Sequence, residues 1–107
     1  MANPWAGEVA LEINGQRCTL KLTLGALAEL ESSLKSGSLM QLVERFESGQ
    51  FSAGDILLLL RAGLRGGGWE GDLNDLPQAD IAGGPLGAAR AAAELLARAF
   101  TVPEHEP

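Results

Sequence analysis

The 107-residue chain carries a net charge of −6, from eight Lys and Arg against fourteen Asp and Glu. Phosphate binding needs clustered Lys and Arg, and here they are scattered from Arg17 to Arg98 without a basic run, so nucleic acid and anionic membrane surfaces are poor partners. Hydrophobic residues make up 46% and aromatics only 5%, with no Tyr, which points to one domain with a core of Leu, Ala, Val and Ile in tightly packed helices.

Residues 1–6 read as an N-terminal extension. Met1 to Ala6 contain Pro4 and Trp5 but no apolar segment of the secretory kind. The longest apolar run, Ile56–Leu60, is five residues, against the roughly eighteen that a membrane span needs. The expectation is a soluble, cytoplasmic protein.

Residues 7–100 read as a single hairpin-plus-helices domain. Asn14-Gly15 is a preferred pair for a two-residue type I′ turn, because both positions take positive φ. The register then follows outward. Ile13 pairs with Gln16, Leu11 with Cys18 and Val9 with Leu20, giving an apolar face. Glu12 meets Arg17 and Glu8 meets Lys21 on the other face, both opposite-charge pairs. Both strands are sheet edges, open to a partner's strand or to a second copy of the chain.

Thr23 suits an N-cap, and Leu24, Leu27, Leu30 and Leu34 then recur at helical spacing. Ser36-Gly37 breaks the pattern. Ser38 with Gln41 forms a capping box for a second helix that turns Leu39, Leu42, Val43 and Phe46 inward and stops at Gly49. Ser52 with Asp55 starts a third helix from Ala53 to about Arg65. Ile56–Leu60 are apolar all round it, so it is expected to be the most buried helix. Arg61 and Arg65 suit its C-terminal half, and Gly66-Gly67-Gly68 end it. Trp69–Gly84 are the least regular stretch, with one helical turn expected near Leu76–Ile81. Gly84-Pro85 open the last helix, whose stripe is Leu86, Ala89, Ala93, Leu96 and Phe100, with Arg90–Glu94 and Glu94–Arg98 as ion pairs on another face. Residues 101–107 read as a disordered acidic tail. The fold class is α+β, an N-terminal β-hairpin followed by about four α-helices, mainly helical.

Little in the chain suggests catalysis. The sole histidine, His105, lies in the tail between Glu104 and Glu106, where no rigid frame holds a partner for it. One Cys and one His make no zinc cluster, and Asp72, Asn74 and Asp75 read as a polar loop rather than a calcium site. Cys18 lies in a strand-like stretch and reads as a small buried hydrophobe. Gly66-Gly67-Gly68 lack the G-K-[ST] that follows in a phosphate-binding loop. No catalytic, cofactor or metal residue is assigned, and no cofactor is expected. Two tryptophans beside flexible segments, Trp5 and Trp69, could serve as core covers or as anchors for a partner. The partner-binding candidates are therefore Trp69, Gly67, Gly68 and Trp5, together with the hairpin edge.

The run from Gly7 to Gly15, the segment Leu22-Thr23-Leu24-Gly25-Ala26 leading to Leu30-Glu31, the stretch Leu59–Gly67 and the Ala-rich last helix resemble the small tail-assembly proteins of gene transfer agents and related prophages. The resemblance spans residues 7–100. Members are labelled tail tube protein or tail assembly chaperone, and the family has no catalytic residues to carry over. It implies a non-enzymatic tail assembly protein with the tape measure protein or the tail tube protein as partner. A chaperone fits the reading that a lone hairpin is too little sheet for a tube ring. A permanent structural component of the tail, incorporated into the particle, is the alternative. A small regulatory or toxin–antitoxin module is the alternative from another class, though it would want a basic DNA-reading element.

Overall fold

Asn14 at φ 53° and Gly15 at φ 78° turn the chain back on itself. In the computed structural model, which describes residues 7–34, 38–69, 71 and 73–100, this turn joins β1 (Glu8–Ile13) to β2 (Gln16–Lys21). The register is Val9 with Leu20, Leu11 with Cys18, Ile13 with Gln16, Glu12 with Arg17 and Glu8 with Lys21. Val9, Leu11, Ile13, Cys18 and Leu20 are all buried. The period-2 pattern thus places one face of the hairpin in the core, as its sequence requires.

Four helices follow: α1 (Leu24–Ser33), α2 (Leu39–Ser48), α3 (Ala53–Gly66) and α4 (Gly84–Ala99), with a 3-10 helix over Leu73–Gln78 before the last. Local chemistry sets their starts. Thr23 accepts the Ala26 amide, and Ser38 and Ser52 each form a reciprocal capping box, with Gln41 and Asp55. α2 stops at Gly49 in the left-handed conformation. The helical turn in the irregular stretch starts earlier than Leu76 and is of the tighter 3-10 kind. The break expected at Ser36-Gly37 falls outside the described residues.

The hairpin lies over α3 and α4, and α1 packs on the other flank of α3. One apolar cluster draws on every described element, including Leu42 of α2 and Leu76 of the 3-10 helix. α3 approaches the sheet closely. A Cβ at Gly63 would stand 2.7 Å from Leu95 Cδ1 and 3.0 Å from Leu20 Cβ.

Three expectations are corrected. In α1, Leu30 is buried with Ala26, and Leu27 and Leu34 pack against the core as expected, whereas Leu24 is 84% exposed. Leu24 lies about 140° round the helix from that pair, at the first turn, with no preceding turn to cover. In α3, Leu59 and Leu60 are fully buried, but Ile56, Leu57 and Leu58 are only half-buried. The closed part of the helix continues instead through Ala62, Gly63 and Leu64. In α4 the buried residues are Ala88, Ala91, Ala92, Leu95 and Leu96, while Leu86 is 63% and Phe100 45% exposed. That face is rotated by roughly 110° from the expected stripe, with Leu96 common to both. Ala88, Ala91 and Ala92 share this face with Leu95 and Leu96, packed toward the hairpin and α3. Arg98 belongs to this packing too: its guanidinium donates to the Glu8 carbonyl of β1, away from Glu94.

Candidate partner-binding site

The glycine run at the end of α3 is a built helix terminus. Gly68, at φ 90°, donates its amide to Arg65 O, and the Trp69 amide donates to Leu64 O at 2.8 Å. These two bonds form a Schellman motif, which satisfies carbonyls that the helix end would otherwise leave open. Trp69 is consequently held at the end of α3, half-buried, and lines a small cleft together with Ile13, Leu64 and Leu76. Gly66 and Gly67 answer a different constraint. A Cβ at Gly66 would stand 2.0 Å from Lys21 O, and one at Gly67 2.0 Å from Thr19 O. Gly67 has φ −87°, a conformation open to any residue, so proximity to the strand is what requires glycine there.

The same approach covers the outer edge of β2, because Thr19 and Lys21 turn their carbonyls toward α3. The outer edge of β1 is covered at its ends. The Asn14 amide donates to Asp80 O at 2.7 Å and the Ala82 amide to Glu12 O at 2.9 Å, making a short bridge between Ile13 and Ile81. Arg98 holds the Glu8 carbonyl. The expectation of two open edges is therefore corrected. Among the described residues, α3 stands close over Thr19 and Lys21 of β2, and Glu8, Glu12 and Asn14 are bonded at the ends of β1, which leaves little continuous edge for a further strand.

Structure places the sequence-derived candidates as follows. Trp69, Gly67 and Gly68 are brought together at the end of α3, against the hairpin. Trp5 lies outside the described residues, as do His105, Asp72 and the rest of the two termini. Cys18 is buried, its thiol donates to the Gln16 carbonyl, and burial pushes its pKa up. Among the described residues no group of three or more His, Cys, Asp and Glu could hold a metal, and no helix is long and apolar enough to cross a membrane.

A feature that the sequence reading missed joins α2 to α3. Arg45 Nε and Nη2 donate to the two carboxylate oxygens of Asp55, each at 2.9 Å. Asp55 Oδ2 also accepts from the Ser52 amide at 3.0 Å. Asp55 is 7% exposed, and the arginine fork is what pays for that burial. The Arg45 hydrogen bonds, with the Ser52 amide adding to them, hold the Asp55 carboxyl below its ordinary pKa against the opposing effect of burial. Phe46 and Phe51 stack alongside, ring centroids 4.5 Å apart. Asp55 was legible as a cap residue, but no spacing rule links it to an arginine on the preceding helix.

Beside this clamp lies a cleft of about 590 Å³, floored by Leu34, Leu57 and Leu58 and bordered by Arg45 and Arg61. It continues past Leu58 into a smaller one bordered by Glu29 and Arg65.

The family model for the phage tail tube protein GTA-gp10 matches residues 6–102. No curated protein and no solved structure matches the chain.

Proposed function

We propose, from the premise that the chain belongs to the phage tail tube protein family GTA-gp10, that it is a non-enzymatic structural component of a phage-like tail, retained in the finished particle. The observation that carries this reading is the extent of the family match, which runs from the hairpin to the end of α4. Its partners are then neighbouring tail proteins, with the tube protein and the tape measure protein as the first candidates. Contact is made by surface complementarity, and the acidic charge keeps the free chain soluble before assembly.

One observation favours a second reading. The sheet has two strands, and their outer edges are largely covered, so the fold offers little for closing a β-ring with further copies. A tail assembly chaperone, which covers the tape measure or tube protein and then leaves, has no such need. Quantitative mass spectrometry of purified particles separates the two. A structural component is present in many copies in fixed ratio to the tube protein. Absence from mature particles, with reversible binding to a tail protein in producing cells, would overturn the structural reading in favour of the chaperone.

A further inference from the structure

α3 presents one stripe to the paired clefts: Gly54, Leu57, Leu58, Arg61, Ala62 and Arg65. The spacing is three and four residues throughout, so the stripe runs straight along the helix for about 16 Å, or three turns. Its middle is apolar and half open to solvent, since Leu57 and Leu58 are only half-buried, as is Leu34 at the end of α1. A groove of that length with a leucine floor has the dimensions of a seat for a short amphipathic helix.

The charges on its border are unusual for this molecule. Three arginines and two carboxylates line the two clefts, within a chain of net charge −6. Arg45 is taken by Asp55, and Arg65 stands 3.6 Å from Glu29. Arg61 is exposed and, among the described residues, has no carboxylate partner. The groove thus carries a surplus cation beside its apolar floor, although the protein as a whole is acidic.

We infer that the α1–α3 groove binds an amphipathic helix of a partner protein whose apolar face carries flanking carboxylates, with Arg61 as the residue that selects the charge. The inference rests on the reading that the chain works by protein contact. It does not depend on whether the chain remains in the particle. A second copy of the chain in the groove is an outcome that the test distinguishes.

The test uses the full chain and two synthetic helical peptides of about eighteen residues. Both carry leucines at i, i+3, i+4 and i+7; one has glutamates on the flanks and the other lysines. The net charge of the protein alone favours the lysine peptide. The inference requires the reverse, with the glutamate peptide bound about tenfold more tightly at low salt. Arg61→Glu removes that preference, and Leu58→Gln weakens the glutamate peptide while the melting temperature holds. Preference for the lysine peptide, a preference that survives Arg61→Glu, or a dimer in sedimentation that Leu58→Gln dissociates would each overturn it. Failure here, with the chain still found in purified tails, removes the groove and leaves the tail assignment standing.

Discussion

The hairpin with α3 and α4 forms one region of the molecule and α2 forms another, and the two are held by different physics. In the first, glycines and alanines let backbone meet backbone: Gly66 and Gly67 lie against the carbonyls of β2, and Gly63 lies under Leu20 and Leu95. Fully buried leucines fill what remains. In the second, only Leu42 is fully buried, Leu39, Val43 and Phe46 are half-covered and Met40 is 58% exposed. What ties α2 down is the Arg45–Asp55 fork and the Phe46–Phe51 stack. Close packing is strong and unforgiving, whereas a polar clamp is weaker, local and sensitive to pH. The open apolar surface borders the loosely held region, where a partner could be accommodated without disturbing the core.

The sharpest way to break this contrast is along α3 itself. Leu59→Ala should cost about 3 kcal/mol in denaturant unfolding, from a side chain with no exposed surface. Leu57→Ala, on the open side, should cost about 1 kcal/mol or less. Equal losses would mean that the groove is closed in solution. Next in size is Gly67→Ala. The substitution gains less than about 1 kcal/mol from reduced chain entropy, but the collision with Thr19 O should dominate, for a net loss of roughly 2 kcal/mol. A neutral or stabilised variant would show that the strand yields easily.

The clamp is tested by Asp55→Asn, with an expected loss of about 1–2 kcal/mol, trimmed because Arg45 keeps a third of its side chain in water. Hydrogen exchange should then quicken in α2 while the hairpin stays protected; uniform loosening would merge the two regions into one. Trp69→Ala bears on the end of α3. With the indole half-buried beside Leu64, stability should fall by about 1 kcal/mol. Weakened binding to a purified tail protein at unchanged melting temperature would instead support Trp69 as a contact residue. The smallest effect is the pH dependence of the clamp. The Asp55 carboxyl titrates below its ordinary value of 3.8 in the folded chain. Its contribution is therefore complete above that value and is lost as pH falls through the lowered one. Asp55→Asn should be flat in that window, and a variant that tracks the native chain would assign the acid sensitivity elsewhere.

Much of this was legible in the residues. Asn14-Gly15 fixed the strand register because a two-residue turn leaves one pairing and the side-chain period is two. Thr23, Ser38 and Ser52 marked helix starts because a cap is a contact within four residues. The resemblance carried by Gly7–Gly15 and Leu22–Glu31 identified the family. The exposure of Leu24 in α1 and the face of α4 were not legible. Leu24, Leu86 and Phe100 are strong hydrophobes, and ranking by hydrophobicity puts them inside. Yet α4 buries Ala91 and Ala92, because the distance between backbones decides which side chains fit.

The partner candidates divide in the same way. Gly67, Gly68 and Trp69 stood out in the chain, and their local chemistry turned out to be a helix terminus seated on a strand. The Arg45–Asp55 fork and the Arg61 groove left no sequence signal, since they depend on how α1, α2 and α3 are placed in space. The sequence by itself determined the hairpin register, the starts of the four α-helices and the family, because turns, caps and periodicity are interactions between near neighbours. Tertiary structure decided how far each helix is buried, that the strand edges are largely covered and that Arg61, without a carboxylate partner among the described residues, borders an apolar groove. Those outcomes depend on the packing of distant segments, where close approach favours alanine and glycine over larger apolar side chains.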